Sequence, residues 1–431
     1  MRQNPTATDG RRRLSFGSMQ RDATRTELAD ESESPERARS LHITPRRWRL
    51  VCVFEALLRF PRLLMPSVPL PEDPDKPPTS ILVVEYWNLG DLAILVPFLK
   101  NLRRSFSRTR ISLLVRPELA QFLDGQDLVD EFIAVRVPWG RHFNRWRKYN
   151  PFSLDWISLA RTILALRKRR FEWAFSGRMD IRDNLLLWLS GARRRIGYGI
   201  GGGGSLLTDE VMPDVSRPHR SDVWLHLLEA VGVLVDRQLG GLRLTDADHT
   251  RARSFLVARC IPPDTFLIGI HPGARTATRR WGNEHFTEVA RRVLETTEAQ
   301  VLWFLEPGTS CPAPRLKRCH SVSLDFQFFL SVLSECRLLV CNDSGPMHLA
   351  NLLGVPVVAV FGPTQPKWFG PRGPHDRVVI RPEFSCRPCF DYCIFDQPYC
   401  LRTISTDEVY KAVEAALCSV SEGEPRRVGV R

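Results

Sequence analysis

The amino-acid sequence predicts an α/β fold built on parallel sheets, because strands and helices alternate along it. The stretch 338–364 is the clearest case, with an apolar strand, a polar turn, a helix and a second apolar strand. The stretch 80–115 repeats the order of strand, loop, helix and strand, beginning with the strand Ile81–Glu85. A further unit begins at the strand Phe266–Ile270. In such βαβ units, ligands bind at the carboxyl ends of the strands.

The chain length predicts more than one domain. With 431 residues the chain is too long for one ordinary core, and a hydrophobic content of 43% is typical of a globular protein. We predict a disordered basic tail (1–45), an amphipathic helix with a proline-rich linker (46–79), an N-terminal Rossmann-like domain (80–244) and a C-terminal Rossmann-like domain (245–431).

The net charge and the cysteine content indicate which binding partners and which cellular compartment to expect. A net charge of +13 favours an anionic partner, such as a nucleic acid, an acidic membrane or a phosphorylated substrate, although a solvated basic face explains it equally. The 11 cysteines are too scattered for a disulfide scaffold, and residues 1–30 contain no apolar stretch typical of a secretory signal. We therefore expect reduced thiols and a cytoplasmic protein.

A basic amphipathic helix is predicted from Arg47 to Phe60. Its apolar side chains share one broad face, with Glu55 and Arg59 opposite. The apolar stretch is too short and too charged to span a bilayer. Two alternatives remain open: the helix lies on the inner face of the inner membrane, or it packs on the protein's own surface.

A candidate anion site lies in the turn of the stretch 338–364. The helix that follows Ser344 directs unpaired backbone N–H groups and a positive dipole end toward the carboxyl edge of the strands. Asp343 and His348 are expected at the same edge. This combination favours a phosphate or carboxylate ligand.

Four cysteines form a separate cluster near the C-terminus. Cys386, Cys389, Cys393 and Cys400 fall within residues 386–400. Such spacing allows a structural zinc or an iron–sulfur cluster, but it matches no standard metal motif. Free or disulfide-paired thiols are the alternative.

Several motifs occur in a fixed order over residues 80–415. They are the loop ending in Gly90-Asp91, Arg195-Ile196-Gly197-Tyr198, His271-Pro272-Gly273-Ala274, Arg279-Arg280-Trp281 with Glu284-His285-Phe286, Asp343-Ser344-Gly345 with His348, and Phe361-Gly362-Pro363-Thr364. Together they resemble glycosyltransferase family 9, which contains the ADP-heptose:lipopolysaccharide heptosyltransferases.

The resemblance implies a GT-B fold, in which two Rossmann-like domains face each other across a cleft. It also implies an inverting sugar transfer that needs no catalytic metal or other cofactor. The donor, expected to be ADP-heptose, would bind mainly to the second domain. A lipopolysaccharide-type or other anionic glycan acceptor would bind mainly to the first. Asp91 matches the aspartate that is regarded as the catalytic base in this family.

The remaining site residues follow from the matched motifs and from neighbouring basic residues. The donor-binding candidates are Arg279, Arg280, Asp343, Ser344, Gly345, His348, His271, Gly273, Glu306 and Thr364. The acceptor-binding candidates are Asn88, Arg141, Arg145 and Lys148, the last three in a basic aromatic segment that could equally be a solvated loop. Arg279 stands where the family usually has lysine. Glu85, Tyr86 and Trp87 also depart from the family pattern, which bears on acceptor specificity.

Two other classes of protein are less consistent with the sequence. A nicotinamide-dependent oxidoreductase would carry Gly-x-Gly-x-x-Gly after a strand, and no strand is followed by it. A nucleic-acid-binding protein would show a recognisable module, whereas the basic runs here are scattered.

Overall fold

The computed structural model describes residues 76–139, 150, 152–306 and 314–423. The first sheet contains β1 (Ser80–Val84), β2 (Arg110–Val115), β3 (Glu131–Ala134), β4 (Trp173–Ser176), β5 (Arg194–Tyr198) and β6 (Asp209–Val211). Its strands are parallel and lie in the order β3-β2-β1-β4-β5-β6. The accompanying helices are α1 (Leu89–Ser105), α2 (Leu154–Arg169), α3 (Ile181–Leu189) and α4 (Arg220–Ala230).

A second sheet repeats this arrangement. It contains β7 (Leu267–His271), β8 (Gln300–Phe304), β9 (Cys319–Val322), β10 (Leu338–Asn342), β11 (Val357–Phe361) and β12 (Arg377–Ile380). Its strands are also parallel, in the order β12-β11-β10-β7-β8-β9. Its helices are α5 (Asp246–Val257), α6 (Asn283–Thr296), α7 (Phe326–Ser334), α8 (Gly345–Leu352), α9 (Pro366–Phe369), α10 (Tyr399–Arg402) and α11 (Thr406–Gly423).

Both sheets have the doubly wound strand order that defines a Rossmann-like domain. Every residue of the central strands β7, β10 and β11 is buried, as expected for parallel strands covered on both faces. The order reverses between β1 and β4 in the first sheet and between β7 and β10 in the second. Ligands bind at such reversal points, which places the candidate site at the loops that follow these four strands.

The start of α1 corrects the predicted boundary of the first helix. The sequence predicts a loop over residues 86–91, but α1 already begins at Leu89. Asn88 precedes the helix, and its backbone N–H donates to Oδ2 of Asp91 at 3.1 Å. Asp91 therefore lies in the first helical turn, where a carboxylate is favoured by the unpaired N–H groups.

Other boundaries shift for local reasons. The helix predicted over 219–235 ends at Ala230, because Gly232 adopts a left-handed φ of 82° that terminates helices. The reciprocal capping of α11 is confirmed: Ser405 N–H donates to Glu408 at 2.8 Å, and Glu408 N–H donates to Ser405 Oγ at 3.3 Å.

Some predictions concern residues outside the described ranges. These are the tail 1–45, the helix Arg47–Phe60, most of the linker, and the basic residues Arg141, Arg145 and Lys148. Among the helices that the structure describes, none is long and apolar enough to cross a membrane.

The two domains are in direct contact. Asp222 on α4 accepts hydrogen bonds from Arg237, in the segment that joins the domains, and from Arg372 in the second domain, both at 2.9 Å. Leu242 N–H donates to the carbonyl of Leu352 at 2.9 Å. The relative position of the two reversal points is therefore set by polar contacts as well as by the covalent connection.

A buried asparagine holds together three loops of the second domain. Oδ1 of Asn342, at the end of β10, accepts from the backbone N–H of Trp281 at 3.1 Å. Its Nδ2 donates to the carbonyl of Pro272 at 2.8 Å. The loops after β7 and β10 and the segment before α6 are thus fixed to one another by one fully buried amide.

We expect Asn342→Ala to lower the free energy of unfolding by about 2–4 kcal/mol. The substitution leaves a buried N–H and a buried carbonyl unpaired, and each such group costs about 1–3 kcal/mol. Urea unfolding measures the change. The exposed side chain of Asn150 accepts from the nearby Phe152 N–H at 3.0 Å, and its backbone bonds survive the substitution, so Asn150→Ala should cost less than about 1 kcal/mol. Equal losses in the two variants would contradict the proposed role of Asn342.

Candidate functional site

The N-termini of two helices, one from each domain, meet at the centre of the cleft. A Cβ atom at Gly90 of α1 would lie 2.9 Å from Cδ2 of His348 on α8, closer than side chains tolerate. A Cβ at Gly345 would lie 3.3 Å from Cδ2 of Leu89. Small residues at both helix starts therefore allow the approach. Both helices direct their positive dipole ends into this space.

The N-terminus of α8 is arranged to bind an anion. Ser344 precedes the helix, but its hydroxyl donates to the carbonyl of Asn342 at 3.2 Å and makes no capping bond within the described residues. Pro346 has no N–H and Met347 donates to the carbonyl of Ser344 at 3.2 Å, so the N–H of Gly345 and the dipole of the helix remain for a ligand. Burial lowers the pKa of His348 to about 4, so its ring is neutral at physiological pH and can donate or accept one hydrogen bond.

Asp91 lies at the facing helix start and is held by several donors. Its Oδ2 accepts from the backbone N–H and the side-chain amide of Asn88, each at 3.1 Å. Its Oδ1 lies 2.5 Å from Nη2 of Arg178, in the loop after β4. Burial alone would raise the pKa of Asp91, but Arg178 and Arg220, together with the bond from Asn88, hold it below its usual value. Asp91 is therefore ionised and able to accept a proton.

Arg178 is shared between two carboxylates, a feature that sequence reasoning missed. It also lies 3.4 Å from buried Glu85, whose pKa is raised by burial despite this cation. The sequence 171–175 predicts a strand, so the position of Arg178 in the loop at its carboxyl end was a signal that could have identified it. The strand order that puts β4 next to β1 was not readable from the residues.

Arg220 contributes a second cation near Asp91. It begins α4 and donates to the carbonyl of Gly177 at 3.0 Å. Burial lowers the pKa of Arg220 to about 10, an effect that neighbouring Arg178 reinforces. The guanidinium remains protonated at physiological pH.

Aromatic rings and cations line the first domain beside Asp91. The guanidinium of Arg182 lies 5.0 Å from the centre of the Trp87 ring and 5.9 Å from that of Trp139. Beneath them, the hydroxyl of Tyr86 donates to Asp183 at 3.1 Å. Burial raises the pKa of Asp183 to about 8. Tyr86, Trp87 and Arg182 thus build a cationic aromatic cluster at the candidate acceptor side.

A hydrogen bond joins the two sides of the cleft. Nη1 of Arg275, in the loop after β7, donates to Oδ1 of Asn88 at 2.7 Å. Asn88, a candidate acceptor-binding residue, is therefore oriented by both Asp91 and the opposite domain. The sequence pattern did not indicate Arg275.

On the second domain, Arg279 is held between two carboxylates. Its Nη1 donates to Asp343 at 3.1 Å, while Nε and Nη2 donate to the two oxygens of Asp391 at 2.9 and 3.1 Å. A guanidinium has five N–H donors, so two remain for a ligand. Burial raises the pKa of Asp343, which Arg279 and the hydroxyl of Thr364 only partly offset.

Asp391 was not predicted as a site residue because it lies within the cysteine segment. It also accepts from the hydroxyls of Thr276 and Thr278, each at 3.0 Å. Burial acts to raise the pKa of Asp391, but the hydrogen bonds from Arg279, Thr278 and Thr276 hold it below its usual value. The cysteine segment thus reaches the candidate donor side.

The other residues that are predicted to bind the sugar donor have different surroundings. Arg280 is exposed, and its Nε donates to the carbonyl of Ala274 at 2.7 Å. His271, at the end of β7, is buried, which lowers its pKa to about 4, and its Nε2 lies 3.8 Å from Glu306. A Cβ at Gly273 would lie 2.6 Å from Cδ of Glu306. Glu306 therefore lies together with His271 and Gly273, apart from the Arg279 cluster.

The structure does not support the metal alternative for the cysteines. Cys386, Cys389, Cys393 and Cys400 are free thiols. In the described parts of the chain, no group of three or more His, Cys, Asp or Glu side chains is placed to hold a metal ion. Burial raises the pKa of Cys389 to about 11 and that of Cys400 to about 12.

Two Rossmann-like domains, with a carboxylate and an anion site facing each other between them, define the class: a group-transfer enzyme of GT-B architecture. The profile of Glycosyltransferase family 9 (heptosyltransferase) matches residues 159–399. The chain therefore belongs to glycosyltransferase family 9.

Individual relatives share only part of their sequence with this chain. Lipopolysaccharide heptosyltransferase 1 of Pseudomonas aeruginosa is 27% identical over 180 residues, which are 36% of this chain and 49% of that protein. The chain thus matches half or less of the length of the first curated relatives.

Solved structures share the fold. A family 9 glycosyltransferase from Veillonella parvula is 23% identical, with a TM-score of 0.61 over 79% of this chain and 97% of that one. The Escherichia coli heptosyltransferase WaaC, solved with ADP-2-deoxy-2-fluoro heptose, is 16% identical, with a TM-score of 0.57 over 78% and 99%. The GT-B expectation is confirmed.

Proposed function

We propose that this protein transfers a sugar, heptose, from an ADP-sugar to an anionic glycan acceptor of the lipopolysaccharide type, with inversion. The observation that carries the proposal is the ionised Asp91 facing the open N-terminus of α8. Membership of family 9 favours this function over the oxidoreductase and nucleic-acid-binding alternatives. The family description and the names of the relatives support heptose as the sugar.

In this proposal, the second domain holds the leaving group. The N–H of Gly345, the positive dipole end of α8 and the two spare N–H groups of Arg279 bind the diphosphate of the donor. Negative charge develops on the diphosphate as its bond to the anomeric carbon breaks. Donors already fixed in position stabilise that charge without reorganising. No metal ion is needed for this step.

The first domain supplies the acceptor and the base. Arg182, Arg178 and the half-buried ring of Trp87 form a surface suited to an anionic sugar, since aromatic faces and guanidinium groups bind sugars and acids respectively. Asp91 takes the proton from the acceptor hydroxyl as its oxygen attacks the anomeric carbon. A single displacement of this kind inverts the configuration at that carbon.

Arg279→Ala should weaken ADP binding by about ten- to a hundredfold, because one charge-assisted contact is worth about 1.5–3 kcal/mol. Calorimetry with ADP measures the affinity. Arg280 is also a predicted ligand, although exposed, and Arg280→Ala should have the smaller effect. Unchanged affinity in both variants would overturn the donor assignment. Because Arg279→Ala leaves two carboxylates unpaired, a melting curve must accompany the measurement.

Asp91→Asn should fold, melt near the wild-type temperature and bind ADP normally, yet turn over at least about a hundredfold more slowly. Asparagine preserves most of the helix-capping role but cannot accept a proton, and general-base catalysis is worth about 10²–10⁴ in rate. Sugar transfer from ADP-heptose to a lipopolysaccharide-type acceptor measures turnover. Near-normal turnover would show that Asp91 only caps α1.

Arg178→Met should move the acid limb of the kcat/KM profile to higher pH. Arg178 opposes the effect of burial on Asp91, so its loss raises the pKa of that carboxyl, and the ionised base disappears at a higher pH. Arg178→Lys keeps a positive charge and should restore most of the acid limb. Arg182→Met provides the control, because Arg182 pairs with Asp180 instead. An unmoved limb in Arg178→Met would exclude this role.

A further inference from the structure

One surface helix of the first domain exposes apolar side chains on its outward face. On α2, Leu159 and Leu166 are buried, while Leu154, Ile157 and Leu164 on the opposite side are 77%, 50% and 62% exposed. Phe152, just before the helix, is 90% exposed. We call Phe152, Leu154, Ile157 and Leu164 the α2 apolar face. Spacings of three and seven residues place its helical members along one line.

Basic residues accompany this apolar face. Arg161 and Lys168 lie on the same line of the helix, and both are exposed. Exposed Arg170 adds positive charge at its C-terminal end, where Arg169 pairs with Glu131 at 2.5 Å. Asp155 is the only acidic residue of α2. An exposed stripe that combines leucine and isoleucine with cations is complementary to an anionic lipid surface, where apolar side chains enter the interface and cations meet the headgroups.

The α2 apolar face connects to the candidate acceptor side through stacked aromatic residues. Trp156, in the first turn of α2, packs edge-on against Trp139 at 6.1 Å between ring centres. Trp139 Nε1 donates to the hydroxyl of Tyr86 at 3.1 Å. Tyr86 lies in the loop between β1 and Asn88. The N-terminal end of α2 is therefore fixed beside the side of the cleft that carries Asp91.

We propose that the α2 apolar face docks on an anionic lipid bilayer, so that the acceptor side of the cleft opens toward the membrane surface. The purpose of docking rests on the proposed function, because a lipopolysaccharide-type acceptor is anchored in a membrane. The docking itself depends only on the exposed side chains and their charge. It uses a surface of the folded domain, independent of the N-terminal helix predicted from the sequence.

The test uses the full-length chain with sedimenting vesicles of phosphatidylethanolamine and phosphatidylglycerol in a ratio of 3:1. The variant Leu154→Gln/Ile157→Gln/Leu164→Gln should reduce the vesicle partition coefficient at least about tenfold. Moving a single aliphatic side chain from water into the lipid interface favours binding by about tenfold or more. Arg161→Gln/Lys168→Gln should reduce it several-fold at low salt and little at high salt. Glutamine is a good helix former, so α2 should remain folded.

A matched control replaces apolar residues of similar exposure elsewhere. Met212, Leu234 and Val257 are 55%, 88% and 52% exposed, and Met212→Gln/Leu234→Gln/Val257→Gln should partition like the wild type. Equal losses in the control and the α2 variant would overturn the proposal. So would unchanged partitioning of the α2 variant when deletion of residues 1–66 abolishes binding, because the N-terminal segment would then be the membrane contact.

Two further readouts separate the remaining explanations. Light scattering that shows a dimer in the wild type and a monomer in the α2 variant would assign the face to a second copy of the chain and overturn the proposal. ADP affinity should be the same in the wild type and the α2 variant. Loss of docking with intact ADP binding supports the inference, whereas docking by a protein that never binds ADP would refute the proposed function and leave the docking surface standing.

Discussion

The close approach of α1 and α8 at their N-termini is the constraint on which the site depends. Gly90 beside His348 and Gly345 beside Leu89 leave no room for larger side chains. This contact brings the base of one domain and the anion site of the other to a common space. It also concentrates two positive helix ends there, which favours the ionised Asp91 and the neutral ring of His348 at this position.

Charges in the cleft are balanced locally on each side. Arg178 forms ion pairs with Asp91 and Glu85, and Arg279 forms ion pairs with Asp343 and Asp391. Each guanidinium holds its carboxylates in fixed positions before a ligand arrives. An enzyme that must stabilise a developing negative charge gains from such preorganisation, because little rearrangement is needed during the reaction.

The fold and the motif residues could be predicted from the sequence, whereas contacts between distant loops could not. Alternating strands and helices indicated two parallel sheets, and Asp91, Asp343 and His348 follow their strands as expected. Arg178 and Arg275 were missed because their roles depend on which strands are neighbours and on how the domains face each other. Glycine and aspartate are poor helix formers, so the sequence favours a loop through Asp91, whereas the capping bonds between Asn88 and Asp91 start α1 at Leu89.

The bidentate hydrogen bonding between Arg279 and Asp391 has a consequence for sequence variation in this family. A lysine at position 279 has a single ammonium group and could not match both oxygens of Asp391 while also reaching Asp343. Relatives that carry lysine at this position should therefore differ at the position of Asp391 as well. The two positions should covary, and the cysteine segment that carries Asp391 should be inherited together with the arginine.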